Sequence, residues 1–129
     1  GNMLSLARQA AEQLRSEGHD VAVINPRFFK PIDAAVHEFF GGAADVVATL
    51  EDHVSMGGYG SAVLEHFSDR QIFTPVVRLA WPDEFIEHAT TVDYLRTKHG
   101  LTVPKLLERI RAVLPGADSA RKAPRLALA

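Results

Sequence analysis

Two short runs of ionisable residues follow apolar segments of this sequence, and both carry side chains suited to chemistry. Residues 51–53 read Glu-Asp-His and follow the apolar run Val46-Val-Ala-Thr-Leu50. Two carboxylates and an imidazole could perform acid–base catalysis or bind a divalent cation. The alternative is structural: Glu51 and His53 fix the following loop through hydrogen bonds to its amides, and Asp52 is solvated. We favour the structural interpretation, because polar residues at strand ends commonly cap neighbouring amides.

The second run covers residues 81–88, Trp-Pro-Asp-Glu-Phe-Ile-Glu-His, directly after the mainly apolar residues 76–80. Aromatic residues among a few charges are typical of contacts between proteins as well as of site walls. Glu84 and His88 are four residues apart, so on one helical turn they would pair. No third partner at useful spacing completes a catalytic set, and we therefore predict packing or an interface. The docking candidates of this run are Trp81, Asp83, Phe85 and His88.

A glycine-rich segment, Gly57-Gly58-Tyr59-Gly60-Ser61, precedes a predicted helix. Backbone amides of such a loop could cradle a phosphate at the positive end of the helix. The segment has neither a dinucleotide-binding fingerprint nor the Gly-Lys-Ser/Thr ending of a P-loop. We therefore favour a tight turn that lets the helix pack closely against the sheet or against a second subunit.

A basic loop between two prolines follows the first predicted strand. Its Arg27 and Lys30 could hold a phosphate through charge-assisted hydrogen bonds, or they could pair with acidic residues of a neighbouring domain. Phe28 and Phe29 are adjacent large aromatic residues, which favours burial against a partner. The four other histidines are expected at the surface or at helix ends, and no pair has the spacing of a metal site. They are His19, His37, His66 and His99.

Apolar periodicity predicts the elements that position these residues. A continuous apolar run indicates a strand buried on both faces at residues 21–24. A second buried strand is predicted at residues 46–50 and a third strand at residues 76–80. Helical spacing predicts a helix at 3–14 with Gly18 behind it, one at 34–40 between the N-cap Asp33 and the stop Gly41-Gly42, and one from about 62. Thr90 or Thr91 is expected to cap a helix that ends at His99, and Thr102 to cap a last helix through Leu114. The pattern gives an α/β fold, a three-layer αβα sandwich with a mainly parallel sheet.

The order of these elements indicates which residues belong to the folded domain and that its first strand is missing. With a helix at its very start, the chain resembles a βαβ unit that lacks its first strand. We expect one domain over residues 1–114 and a flexible C-terminal tail over residues 115–129, where the sequence has no useful periodicity.

Bulk properties narrow the classes of function. A chain of 129 residues fits one domain, and a net charge of −2 gives no basic field for nucleic acid. No apolar run approaches the length of a membrane helix, so we expect no membrane partner. The absence of cysteine excludes disulfides and thiolate metal sites, and it fits a cytoplasmic location.

Three separated segments carry a resemblance to one family. They are Asn25-Pro-Arg-Phe-Phe-Lys-Pro-Ile-Asp33, Leu50-Glu-Asp-His53 with Gly57-Gly-Tyr-Gly-Ser-Ala-Val-Leu-Glu65, and Pro82-Asp-Glu-Phe-Ile-Glu-His88. Together they resemble the C-terminal domain of 1-deoxy-D-xylulose-5-phosphate synthases, which are thiamine-diphosphate enzymes of the transketolase family. The third segment is similar to the synthase branch in particular. The resemblance runs from Gly1 to about Leu114.

This resemblance implies a function that belongs to a larger polypeptide. The family enzymes are transferases that condense pyruvate with glyceraldehyde 3-phosphate, losing CO₂, to give 1-deoxy-D-xylulose 5-phosphate for isoprenoid, thiamine and pyridoxal synthesis. They use thiamine diphosphate and Mg²⁺, which the preceding domains hold. The resemblance therefore implies no catalytic residue, cofactor or metal ligand in this chain, which is expected to be inactive alone.

The resemblance further implies a cytoplasmic homodimer in which this domain contacts the preceding domains and helps to hold the two subunits together. The docking candidates are Arg27, Phe28, Phe29, Glu51, His53, Gly57, Gly58, Tyr59, Gly60, Trp81, Asp83, Phe85 and His88. Two other interpretations stay open. One is a stand-alone module that binds a phosphorylated ligand, and the other is the corresponding domain of a transketolase or of a keto-acid dehydrogenase β subunit.

Overall fold

Helices and strands alternate along the chain in a computed structural model that describes residues 1–115 and the backbone of residues 125–128. In chain order the elements are α1 (Leu4–Ser16), β1 (Asp20–Val23), α2 (Ala34–Ala43), β2 (Val46–Val54), α3 (Tyr59–Asp69), β3 (Val76–Trp81), α4 (Val92–Lys98), α5 (Val103–Val113) and β4 (Arg125–Leu128). The alternation gives the α/β class that the sequence predicts.

The four strands form one parallel sheet in the order β1-β4-β2-β3, with helices on both faces. Helices α1 and α5 pack together over one face, where the main core contains buried residues of both helices and of β1, β2 and β3. Helices α2 and α3 cover the other face around Val47, Val63 and Phe67. This arrangement confirms the predicted three-layer αβα sandwich.

Local signals in the sequence place several helix ends. The side chain of Asp33 accepts a hydrogen bond from the Val36 amide (3.2 Å), as an N-cap of α2 should. Thr91 and Thr102 cap α4 and α5 in the same way. Gly18 and Gly100 follow α1 and α4 with positive φ angles of 92° and 78°. None of the helices in the described residues is long and apolar enough to cross a membrane.

Helix α2 does not stop at Gly41-Gly42 as predicted but continues to Ala43. Gly41 is buried, and a β-carbon on it would lie 2.6 Å from Cζ of Phe67 on α3. The glycine therefore serves the close approach of α2 and α3, and it does not end the helix.

The structure also differs from the prediction of a flexible tail over residues 115–129. Residues 125–128 form β4, which lies between β1 and β2 in the sheet. The position beside β1 is filled by β4, the last strand among the described residues. Residues 116–124 and 129 lie outside the described residues.

Candidate docking edge at the carboxyl ends of the strands

Strand β2 continues four residues beyond its predicted end and carries Glu51 directly under the start of α3. The Glu51 side chain is buried, its Oε2 accepts a hydrogen bond from the Tyr59 amide (2.6 Å), and its Oε1 accepts one from the Gly60 amide (3.0 Å). A carboxylate beside the first amides of a helix also interacts favourably with the helix dipole. The structural interpretation of Glu51 is confirmed.

The glycines of the loop allow this contact. A β-carbon on Gly58 would overlap Oε2 of Glu51, and a β-carbon on Gly60 would lie 2.6 Å from Oγ1 of Thr49. Gly57 has a φ angle of 68°, a left-handed conformation that favours glycine. The loop is therefore a tight turn that brings the start of α3 onto β2, as predicted.

Tyr59 and His37 join this turn to α2. The His37 ring is buried; its Nδ1 donates to the Asp33 carbonyl oxygen (2.6 Å), and its Nε2 accepts from the Tyr59 hydroxyl (2.5 Å). Burial, and then the negative charges of Glu51 and Asp33, raise the pKa of Tyr59, so the hydroxyl keeps its proton and remains a donor. The expectation that His37 lies at the surface or only caps a helix is wrong.

Asp52 joins β2 to three other parts of the molecule. Its carboxylate accepts hydrogen bonds from Nε1 of Trp81 (2.9 Å), Nη2 of Arg96 (3.0 Å) and Nδ2 of Asn2 (3.2 Å). Burial alone would raise the pKa of Asp52, but the hydrogen bonds from Trp81 and Asn2 and the charge of Arg96 outweigh it and hold the pKa below its usual value. Asp52 is exposed, as expected, but three hydrogen bonds from the chain also hold its carboxylate.

His53 does not reach the glycine-rich loop. Its exposed side chain has Nδ1 3.0 Å from the carbonyl oxygen of the next residue, Val54. The prediction that it fixes the loop amides is therefore wrong. Regular alternation would put residues 51 and 53 on one face, but the pairing of β2 with β3 is irregular between Leu50 and Val54, where His53 lies.

Trp81 ends β3, and residues 82–88 form an irregular loop in which two carboxylates contact His99. Glu84 Oε1 lies 3.2 Å from Nδ1 of His99, and Glu87 Oε2 lies 3.1 Å from Nε2. Glu87 also pairs with Lys98, whose hydrogen bond is the main cause that lowers the pKa of Glu87 to about 2. The predicted pair of Glu84 with His88 is absent from this described loop, because the residues between them are not helical.

The rest of this run faces outward. Asp83 and His88 are exposed, and Phe85 is as accessible as in an extended chain. Trp81 is half-buried between Asp52 and His99. The centroids of the Trp81 and His99 rings are 5.8 Å apart. These four residues keep their status as predicted docking residues, but Trp81 is already held by contacts within the chain.

An apolar cavity of about 260 Å³ opens at the carboxyl ends of β1 and β2. Phe28 and Phe29, which are 71% and 50% exposed, stand at its wall, and the Phe29 ring contacts the Tyr59 ring at 6.4 Å between centroids. The exposed Arg27 precedes them. Of the predicted docking residues, this cavity brings together Phe28, Phe29, Glu51 and Tyr59, whereas the run 81–88 lies apart from it.

The sequence does not predict the residues that contact this edge from distant positions in the chain. Asn2 and Arg96 hold Asp52, and they are separated from it by 50 and 44 positions in the chain. No local signal marks such pairs. His37 had a usable signal, because it lies four residues after the N-cap Asp33, where a side chain can return to the carbonyl of the capping residue.

The edge offers no evident site for a metal ion or a bound phosphate. Within residues 1–115 no group of three or more His, Cys, Asp or Glu side chains could hold a metal ion. The first amides of α3, which would bind an anion, already donate to Glu51. The described residues therefore do not fit the Mg²⁺ and diphosphate of a thiamine cofactor.

Comparison with known proteins identifies the family to which this chain belongs. Residues 1–106 match the family described as transketolase, C-terminal domain. The chain is 45% identical over 114 residues to a 1-deoxy-D-xylulose-5-phosphate synthase of Acidobacterium capsulatum, covering 88% of this chain and 18% of that protein. It is 43% identical over 121 residues to the synthase of Methylacidiphilum infernorum, covering 92% of this chain and 19% of that protein.

A solved structure supports the same relationship. The chain superposes on a structure described as a split gene transketolase, inactive beta4 tetramer, with a TM-score of 0.79 and 32% identity, over 88% of this chain and 37% of that one. The chain thus spans less than a fifth of the length of the curated synthases it matches. It belongs to the transketolase C-terminal domain family, and the relatives named here that it resembles in sequence are 1-deoxy-D-xylulose-5-phosphate synthases.

Proposed function

We propose that this chain is the C-terminal domain of a 1-deoxy-D-xylulose-5-phosphate synthase and that it acts by docking. In this proposal the whole enzyme is a cytoplasmic, thiamine-diphosphate- and Mg²⁺-dependent transferase that makes 1-deoxy-D-xylulose 5-phosphate from pyruvate and glyceraldehyde 3-phosphate. The domain contacts the preceding domains and helps to hold the homodimer. The observation that carries the proposal is the 45% identity to a synthase over 88% of this chain.

The chemistry of the edge supports a docking role over catalysis. The carboxylates of Glu51 and Asp52 are engaged by donors of the chain itself, so they are not free bases poised at a substrate. The exposed groups near them include two large aromatic rings, Phe28 and Phe29. Large exposed aromatic residues at the rim of a cavity favour contact with another protein surface.

In this proposal the contribution of the domain to turnover is indirect. Groups in the preceding domains would hold thiamine diphosphate, its Mg²⁺ and the substrates, and the cofactor would supply the carbanion chemistry. The docked domain would keep those groups aligned, because small displacements of positioned groups lower catalytic rates strongly. This chain alone would then have no synthase activity.

The alternative of a stand-alone phosphate-binding module has weaker support. The Glu51 carboxylate occupies the amides that such a ligand would need, and a second anion there would be repelled. The alternative of a transketolase domain rests on the neighbouring structure at 32% identity, which is lower than the identity to the synthases.

Deletion of this domain from the full-length enzyme tests the proposal. We expect loss of the dimer in light scattering and at least a tenfold loss of turnover, since the neighbouring domains lose a contact surface. An intact dimer with unchanged turnover would contradict the docking role. Calorimetric titration of the isolated chain with glyceraldehyde 3-phosphate should give no heat of binding, whereas saturable binding would favour the stand-alone module.

A further inference from the structure

A second cavity lies along β3, which is an edge strand of the sheet. Among the described strands β3 pairs with β2 alone. The cavity has a volume of about 520 Å³ and is lined by residues of β3, among them Arg78, Ala80 and Trp81, and by Arg109 and Val113 of α5. We call it the β3 cleft. It shares no lining residue with the cavity beside Phe28 and Phe29.

The backbone of β3 directs polar groups towards its free edge. The Pro75 carbonyl oxygen accepts a hydrogen bond from the Val47 amide of β2 (3.0 Å). Because alternate residues of a strand bond to opposite sides, the N–H and C=O groups of Arg78 and Ala80 point away from β2. The Arg78 carbonyl oxygen agrees with this, since it accepts from Nη1 of the Arg109 side chain (2.9 Å). An added strand could bind the other groups of this edge.

Two positive charges flank the free edge from opposite faces of the sheet. Arg78 lies on the face of α3, where its Nη1 donates to the Ser55 carbonyl oxygen (2.9 Å) and to Oγ of Ser61 (3.1 Å). Arg109 belongs to α5, which packs over the other face. Their acceptors are neutral oxygens, and none of the described residues that line the cleft is acidic. The cleft therefore concentrates positive charge in a chain of net charge −2.

The chemistry of the β3 cleft fits an extended acidic segment. Guanidinium groups bind carboxylates through paired N–H groups. Side chains of an added strand point alternately to the two faces of the sheet, so two consecutive acidic residues would meet Arg78 and Arg109. Trp81 and Val113, which is 42% exposed, offer apolar contacts to the flanking residues. A second copy of this chain fits less well, because pairing of two β3 edges would bring like charges together.

We propose that the β3 cleft binds an extended acidic segment of a partner protein, which adds to the sheet beside β3. Main-chain hydrogen bonds to the free edge give affinity, and the two arginines select the acidic side chains. The inference does not rest on the proposed synthase function or on the docking residues Phe28 and Phe29, which line the other cavity.

Peptide titration tests the binding. The probe is a fluorescein-labelled peptide of sequence Ser-Val-Glu-Glu-Val-Ser, and we expect it to bind the 129-residue chain saturably in fluorescence anisotropy. The peptide Ser-Val-Gln-Gln-Val-Ser should bind at least tenfold more weakly, because its neutral amides cannot form an ion pair with a guanidinium. No saturable binding of the acidic peptide, or equal affinity of the two peptides, would overturn the proposal.

Substitution in the chain locates the site. Arg109→Gln should lower the affinity for the acidic peptide at least tenfold, and it should keep the circular dichroism spectrum of the wild type because Arg109 is exposed. Arg8→Gln removes the same charge from an exposed position of α1 and should leave the affinity unchanged. Unchanged affinity of Arg109→Gln, or an equal loss in both variants, would contradict binding in the cleft.

Amide exchange tests the addition of a strand. Saturating acidic peptide should slow exchange of the Ala80 amide at least tenfold, because this N–H points to the free edge. Exchange of the Leu79 amide, which points to β2, should stay unchanged. Peptide binding without protection of Ala80 would indicate charge attraction alone and would overturn the added strand. Displacement of the peptide by an equal concentration of inorganic phosphate would overturn it as well, since it would indicate a simple anion site.

Discussion

Substitution by alanine is predicted to have opposite effects on stability at Gly60 and at Gly42. A β-carbon on Gly60 would lie 2.6 Å from Oγ1 of Thr49 and 2.8 Å from Cδ of Arg78, whereas around Gly42 in α2 nothing lies within 4 Å. We expect Gly60→Ala to lower the free energy of unfolding by about 1–3 kcal/mol, because the overlap forces shifts in a packed region. Gly42→Ala should be neutral or stabilising by up to about 1 kcal/mol, since alanine favours a helix. Urea unfolding of both variants measures the difference.

Glu51 is predicted to stabilise the fold through both its negative charge and its two acceptor oxygens. Glu51→Gln keeps the size but offers an NH₂ group where the Tyr59 or Gly60 amide needs an acceptor. We expect the free energy of unfolding to fall by about 1–3 kcal/mol, because a buried N–H loses its partner. Glu65→Gln on the exposed part of α3 is the control. Equal stability of Glu51→Gln and the wild type would show that the carboxylate is dispensable.

Asp52 is predicted to make stability depend on acid pH. Its pKa is lower in the folded chain than its ordinary value of 3.8, so the contribution is fully present above about pH 4. It is lost as the pH falls through the folded pKa, when the carboxylate that binds Trp81 and Arg96 becomes protonated. Asp52→Asn should flatten this part of the curve of unfolding free energy against pH.

Fluorescence of Trp81, the single tryptophan, can follow that pH series in urea. Asp83→Asn is the matched control, because Asp83 is exposed and has no hydrogen bond to other described residues. We expect its curve to follow that of the wild type. An Asp52→Asn curve as steep as the wild type between pH 2 and 4 would contradict the assignment.

At the scale of helices and strands, the sequence predicts those features that depend on residues close together in the chain. The caps Asp33, Thr91 and Thr102 are found where expected, because each signal involves a side chain and an amide three residues later. Strand β4 is missed because its four residues carry no periodicity and pair only with distant strands. The contacts of Glu84 with His99 and of Asp52 with Arg96 are missed for the same reason.

The amphipathic pattern of α5 leads to a prediction about its buried face. Leu106 is completely buried between α5 and the sheet, whereas Leu64 on α3 is 40% exposed. We expect Leu106→Ala to lower the free energy of unfolding by about 2–5 kcal/mol, because it removes apolar contacts and leaves a cavity. Leu64→Ala should lower it by less than about 1 kcal/mol. Similar midpoints of the two variants in urea would mean that α5 is not packed as described.

At the scale of the whole molecule, exposed phenylalanines distinguish the two ends of the sheet. Phe28 and Phe29 stand beside the cavity at the carboxyl ends of the strands, and Phe73 precedes β3 at the opposite end with 91% exposure. The sequence predicts a partner for the adjacent pair but does not show that a cavity adjoins them. That cavity depends on where α1, β1 and β2 meet, which is a matter of tertiary packing.

This asymmetry gives a test of docking in the full-length enzyme. Phe28→Ser with Phe29→Ser should weaken the homodimer at least tenfold in analytical ultracentrifugation, because the proposed contact loses two exposed aromatic rings. Phe73→Ser removes a more exposed ring at the other end and should leave dimer affinity unchanged. In the isolated chain Phe73→Ser should unfold like the wild type, and the double change should lower the free energy of unfolding by no more than about 1 kcal/mol, since only the Phe29 ring has a ring contact within the described residues. Equal weakening of the dimer by both changes would locate the contact elsewhere, and unchanged affinity in both would exclude the aromatic pair from it.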